Sequence, residues 1–189
     1  MLIQRASRLP GPLRPWTYRT LIALLACTGL RISEALALRV ADVDLAQGIL
    51  TIGPSKAQHS RHVPLHPSAL APLSRYARRR AKLFPQAQSF FVSDRGAALR
   101  YSAVSQVFPV LARKITPNNG RRRVRLHDLR HTFACRVLLK WQRSRRGVVG
   151  RVATLSRYLG HVQVSDTYWY LTAMPQLLKH AVTHFAPLQ

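Results

Sequence analysis

Acidic residues are scarce. Six Asp and Glu stand against 30 Lys and Arg in a chain of 189 residues, leaving a formal net charge of +24. A compact chain this unbalanced repels itself, and a polyanionic partner relieves the strain. Nucleic acid is the partner that composition favours, because Arg-rich surfaces exchange condensed counterions for phosphate contacts. An anionic membrane surface would favour a basic amphipathic helix or a lipid anchor, and neither is evident from the sequence. Its longest purely apolar run, LIALLAC at 21–27, is far too short to span a bilayer. No signal peptide is evident. Cysteine is also rare: Cys27 and Cys135 sit in apolar helical contexts without metal or redox spacing, and both are expected to be core thiols. These absences together give the expectation of a cytoplasmic, nucleoid-associated protein with no membrane contact. No internal repeat or low-complexity tract occurs.

The length suits one domain, and a hydrophobic content of 47% is enough for a core that needs neither disulfide nor metal. The opening RLPGPLRPW carries three of the twelve prolines and reads as a linker, with helix expected only from about Pro15, a favourable first helical position. Residues 16–27 then form an apolar helix, TG breaks it, and LRISEALAL at 30–38 restarts it. In that second helix Leu30, Ala35 and Leu38 face inward, while Arg31 and Glu34 share another side. ILTIG (49–53) and RHVPLH (61–66) read as two short strands joined by the turn PSKAQHS. Helices are expected at roughly 67–83 and 102–115, with a short strand FFVS at 90–93 between them.

In LHDLRHTFACRVLLKW, the apolar residues Leu126, Leu129, Phe133, Val137, Leu138 and Trp141 form a helical stripe and leave His127, Arg130 and His131 together on another face. A further helix begins near Val152, and a last amphipathic one runs from Met174 to Phe185, carrying Leu177, Leu178, Ala181 and Val182. The fold class is therefore mainly α with a small antiparallel β-sheet (α+β). The arginine runs at 78–80 and 121–123, with Arg143, Arg145 and Arg146, are read as solvated faces.

The stretch VSDTYWYLT at 164–172 places Tyr168 and Tyr170 either side of Trp169. By itself such a cluster means packing. Its context changes that. TGLRISEALAL, a Lys in a turn before SRHVPL, then HDLRHTFA, LGH, and a Tyr nine residues after that His occur in this order. The set resembles the tyrosine recombinase (phage integrase) family, from about residue 16 to the end of the chain.

The resemblance implies the DNA breaking-rejoining catalytic-domain fold for 15–189. It leaves 1–14 as a linker or the remnant of a missing N-terminal DNA-binding domain. It further implies site-specific cleavage and rejoining of double-stranded DNA through a covalent 3′-phosphotyrosyl intermediate, in integration, recombination or transposition, with no cofactor. Arg31 and Arg130 would clamp the non-bridging oxygens, a task suited to planar, permanently charged guanidiniums. Lys56 lies where the family keeps its general acid for the leaving 5′-oxygen. His127 would accept the tyrosine proton or orient the phosphate, His161 would donate to a non-bridging oxygen, and Glu34 would buttress Arg31 or a histidine.

Residues two apart on a helix point about 200° apart, so only one of the two tyrosines can face a given phosphate. The family spacing from LGH selects Tyr170 as nucleophile, leaving Tyr168, Trp169 and Tyr158 to packing. The family further implies a tetrameric synaptic assembly on DNA, with a monomer when free. Other readings exist; a general RNA-binding protein fits the charge but gives no reason for the ordered motif set. HDLRH has the i, i+4 histidines of a zinc protease helix, but Asp128 stands where a catalytic Glu belongs and Arg130 would face the metal, so no metal is expected. A catalytically inactive DNA-binding remnant is the alternative, supported by the missing N-terminal domain and the unusual RSRRGVVGRVA at 143–153. The match at all six catalytic positions favours competent chemistry.

Overall fold

The structure, a computed structural model, describes residues 1–53, 60–113, 124–142 and 151–160. The chain divides into two compact units, Met1–Arg130 and His131–Gln189.

The first unit opens with α1, Leu2–Ala6, and α2, Arg14–Thr28. Helix was expected only from about Pro15, so α1 is a correction. It packs on α2 and on a later helix of the same unit, Ala6 and Leu13 are buried completely, and the Arg5 guanidinium donates to the carbonyl of Leu111. The prolines of this segment punctuate the chain without loosening it. Pro15 lies in the first turn of α2, and the N–H groups of Leu13 and Arg14 donate to Asp94 Oδ1 at 2.9 and 2.7 Å. A carboxylate from far along the sequence thus supplies the cap that no neighbouring side chain provides. Gly11 makes room for it: its φ is +118°, and a Cβ there would meet Asp94 Oδ2 at 2.0 Å.

Next come α3, Ile32–Ala37, a short 3-10 turn at Val40–Asp42, and a three-stranded antiparallel sheet. Its strands are β1, Val43–Asp44, β2, Ile49–Ile52, and β3, Arg61–Pro64, in the order β1-β2-β3. The register pairs Leu50 with Val63 and Ile52 with Arg61. Leu50, Ile52 and Val63 are buried, so one face of the sheet joins the core. The two longer strands were legible from alternation, whereas β1 is too short to show a period of two. Leu30, Ala35 and Leu38 face inward as expected.

The helix α4, Pro67–Leu83, matches its expected span, and α5, Tyr101–Ala112, is shorter than expected. Between them, FFVS is not a sheet strand; only the isolated bridges Arg39↔Ser89 and Val92↔Ala98 touch this region. Its apolar side chains take it into the core, where Phe90, Phe91 and Val92 are buried against Tyr76 of α4. The Tyr76 hydroxyl donates to Phe90 O at 3.1 Å and accepts from Val92 N–H at 3.2 Å, and Thr17 Oγ1 donates to Val92 O at 3.1 Å. Side chains therefore satisfy backbone groups that a sheet would otherwise pair. Burial raises the Tyr76 phenol above its ordinary value.

The reading of 78–80 as a solvated face also needs correction. Arg78 and Arg79 are exposed, but Arg80 is buried, donating to Ser89 O through Nε at 3.2 Å and Nη2 at 2.9 Å, and to Ala87 O. Cys27 is likewise exposed and not a core thiol, while Cys135 is half-buried.

The helix α6, Leu126–Gln142, carries the chain into the second unit, which also contains α7, Val152–Leu159. Ala134, Leu138, Val152, Leu155 and Leu159 form the core of that unit, flanked by half-buried Phe133, Val137 and Trp141. The most buried line of α6 runs through Arg130, Ala134 and Leu138, at i, i+4 and i+8. Arg130 thus belongs to the buried side and not to an outer face with His127, which is exposed. Tyr158 stacks on Phe133 with centroids 5.7 Å apart, in keeping with a packing role. The segment proposed for the last helix, 174–185, lies outside the described residues. No described helix is long and apolar enough to cross a membrane.

Candidate functional site

The corner between α2 and α3 is built by its own sequence. α2 stops at Gly29, whose left-handed conformation (φ +66°) lets its N–H return to Leu25 O at 3.0 Å. Thr28 Oγ1 donates to Leu24 O at 2.7 Å, Leu30 is buried, and the chain re-enters helix with Arg31 as the extended N-cap of α3. The side chain of Arg31 is therefore delivered from a turn pinned on both sides.

Glu34, in the first turn of α3, organises this corner. Its Oε2 accepts the Arg31 backbone N–H at 2.9 Å, and its Oε1 accepts Arg31 Nη1 at 3.1 Å. Arg61 Nη2, from β3, donates to Oε2 at 2.9 Å. The Glu34 side chain is 4% exposed, against 16% for Arg61 and 33% for Arg31. Burial alone would raise the Glu34 carboxyl. The hydrogen bond from Arg61, the N–H of Arg31 and the charges of both arginines outweigh it, holding the group below the ordinary carboxylate range. One buried carboxylate thus serves two guanidiniums, the pairing that makes a buried charge tolerable.

Arg130 reaches the same corner from a distant part of the chain. Its Nη1 donates to the carbonyl of Gly29 at 2.8 Å, and the residue is 2% exposed. This carbonyl lies at the C-terminal end of α2, where helix carbonyls lack intrahelical partners and a cation is favoured. Arg130 is thereby anchored to the peptide two residues before Arg31. His127 stands one turn earlier on α6, exposed. Asp128 Oδ2 accepts the backbone N–H of Arg125 at 2.7 Å. That bond from the third helical residue back to the cap explains an acid at this position without a metal.

Of the residues singled out from sequence, the structure brings Arg31, Glu34 and Arg130 to one turn and sets His127 on the adjacent first turn of α6. Lys56, His161 and Tyr170 lie outside the described residues, as do Tyr168 and Trp169. Arg61 is the residue that sequence reasoning missed. The signal for it was faint: the i, i+2 relation to buried Val63 in RHVPLH directs an arginine to the inner side of its strand.

A mostly helical chain with a small three-stranded antiparallel sheet has the fold of a tyrosine recombinase catalytic domain. The chain belongs to the phage integrase family, whose profile matches residues 6–176. It is 43% identical over 178 residues to y4rB of Sinorhizobium fredii, provisionally named an integrase/recombinase, covering 90% of this chain and 56% of y4rB. The crystal structure of XerA recombinase superimposes with a TM-score of 0.76 at 26% identity, covering 100% of this chain and 62% of that one. XerH site-specific recombinase, in a post-cleavage complex with its palindromic difH substrate, shares the fold with a TM-score of 0.72 at 22% identity, covering 98% of this chain and 51% of that one. The chain spans little more than half the length of y4rB.

Proposed function

We propose that this chain is the catalytic domain of a site-specific DNA recombinase, cleaving and rejoining duplex DNA through a covalent 3′-phosphotyrosyl intermediate. The observation that carries the reading is the bond from Arg130 to Gly29 O, which anchors one arginine of the expected clamp to the loop that delivers the other. Membership of the family and the substrate complex of XerH support DNA as the partner.

In this reading the Tyr170 oxygen attacks a backbone phosphorus. Its proton passes to His127, and the bond to the 5′-oxygen breaks as Lys56 protonates that oxygen. Arg31 and Arg130, with His161, stabilise the charge on the non-bridging oxygens, where fixed donors act most strongly. A phenol has a reference pKa of roughly 10, so the aryl phosphate is a reactive ester that a 5′-hydroxyl of another strand displaces, and the phosphodiester energy is conserved. The reaction consumes neither water nor a nucleotide cofactor. Assembly is read as a tetramer on DNA and a monomer when free, acting in the cytoplasm on the nucleoid.

The test is incubation with a nicked suicide duplex, built from sequences flanking the gene, followed by denaturing electrophoresis. A protein band carrying labelled DNA is expected. A chain that binds these duplexes tightly and yields no such band would instead be an inert DNA-binding relative.

A further inference from the structure

Arg61 has no part in the proposed chemistry, yet it is among the most deliberately placed cations described. It sits on the inner side of β3, mostly buried, with its guanidinium 2.9 Å from the carboxylate that Arg31 also uses. We infer that Arg61 is a positioning residue: acting through Glu34, it fixes the orientation in which the Arg31 guanidinium meets the scissile phosphate. The inference rests on the function proposed above.

The terminal torsion of a Glu side chain is broad and roughly two-fold, so a carboxylate held only by its own helix turn can swing its plane. Both contacts from Arg31, the backbone N–H to Oε2 and Nη1 to Oε1, come from the α3 turn itself. Arg61 adds a donor from a different element, and three donors at two oxygens from two elements define the carboxylate plane. Arg31 is one-third exposed and carries a long, rotamer-rich side chain. Its bond to Glu34 therefore ties the direction of the guanidinium to that of the carboxylate. A guanidinium has five N–H donors in a rigid fork, so one bond to Glu34 orients the fork without consuming it. The strand also starts from a fixed place, because Arg61 pairs with Ile52 in the sheet register.

The experiment uses the full chain with Arg61→Gln and Arg61→Lys, each made alone and on Arg31→Lys. Single-turnover adduct formation on the nicked duplex, the salt dependence of DNA binding and the melting temperature are recorded. Arg61→Gln should slow adduct formation by about tenfold to a hundredfold, the scale of a misplaced reacting group. Arg61→Lys, which keeps a cation on Glu34, should recover most of that rate. On the Arg31→Lys background the further loss from Arg61→Gln should shrink to about twofold or less, because residues acting through one another are not additive. The salt slope of binding should not change, since an arginine that touches phosphate would lower it by about 0.9.

A loss of equal size on both backgrounds, or a salt slope lowered by about one, would overturn the inference, the latter by showing that Arg61 holds DNA itself. An unchanged rate in Arg61→Gln would do the same. The Nε–H signal of Arg31 in nitrogen-15 NMR gives an arm that needs no cleavage: it should be sharp in the parent and in Arg61→Lys, and broadened in Arg61→Gln. Equal sharpness in all three contradicts the inference even if the parent forms no adduct, an outcome that would separately defeat the proposed function. Should Arg61→Gln fail to fold, Arg61→Lys still decides. A rate as low as that of Arg31→Lys despite a native melting temperature would show that a cation on Glu34 is not what counts.

Discussion

The arginines at the α2–α3 corner and those on the outer face of α4 are the same residue in opposite circumstances. At the corner, Arg31 and Arg61 share a buried carboxylate, and Arg130 is bound to a helix-terminal carbonyl. On α4, Arg75, Arg78, Arg79 and Lys82 are exposed at i, i+3, i+4 and i+7, on the side of the helix away from buried Leu73, Tyr76 and Arg80. No acidic residue occurs anywhere in α4. Arg79 is steadied over the Trp16 ring, 5.2 Å from its centroid, and donates to Pro12 O at 3.1 Å. The other three extend from the surface. Exposed cations of this kind contribute long-range attraction for a polyanion, which salt screens. Only cations fixed by buried partners can meet a transition state at a defined distance. Net charge and fixed side-chain geometry are separate properties, carried by different arginines.

Substitutions should pull the two regions apart. Arg31→Lys keeps the charge and loses the planar fork, so adduct formation should fall by about a hundredfold or more while duplex affinity stays within a few-fold. Quench-flow rates set beside anisotropy titrations measure both. Losses of similar size in rate and in affinity would erase the distinction.

The acid limb of stability offers a smaller effect at the same corner. The folded Glu34 carboxyl lies below its ordinary 4.5, so its contribution is fully present above that value and is lost as pH falls through the lowered folded value. Melting temperature in acid should therefore drop more steeply for the parent than for Glu34→Gln, with the two curves drawing together below pH 4.5. Parallel curves across that range would mean that Glu34 is not paired in solution.

The mildest change is expected on α4. Replacing Arg75, Arg78 and Lys82 together by Gln should leave the cleavage rate of bound DNA unaltered. At most it should make the salt slope of binding less negative by about 2.7, the value for three lost phosphate contacts. A large loss of rate at saturating DNA would make this face part of the catalytic surface.

Much of this contrast was legible in the sequence where local rules dominate. α4 was marked by its apolar spacing and by Pro67 at its start, and the helix break at Thr28–Gly29 by the residues themselves. Arg31 and Glu34 share a helix side at a spacing of three, and their ion pair follows. What was not legible depends on partners far along the chain. α1 looked like a linker because prolines follow it, and its burial against α2 and α5 leaves no local mark. FFVS has the composition of a strand, but side chains of Tyr76 and Thr17 take the backbone bonds a neighbouring strand would make. Arg80 is indistinguishable in sequence from Arg78 and Arg79, and only the carbonyls of Ala87 and Ser89 set it apart. Arg61 was overlooked for the same reason, since its meaning lies in a carboxylate on another element.

The most direct test of the account is the identity of the residue that becomes attached to DNA. Mass mapping of the trapped peptide should find the nucleotide on Tyr170. Tyr170→Phe, which removes a single oxygen, should abolish the adduct while leaving the melting temperature and DNA affinity intact, and Tyr168→Phe should retain it. A nucleotide on Tyr168, or an adduct that survives in Tyr170→Phe, would contradict the assignment.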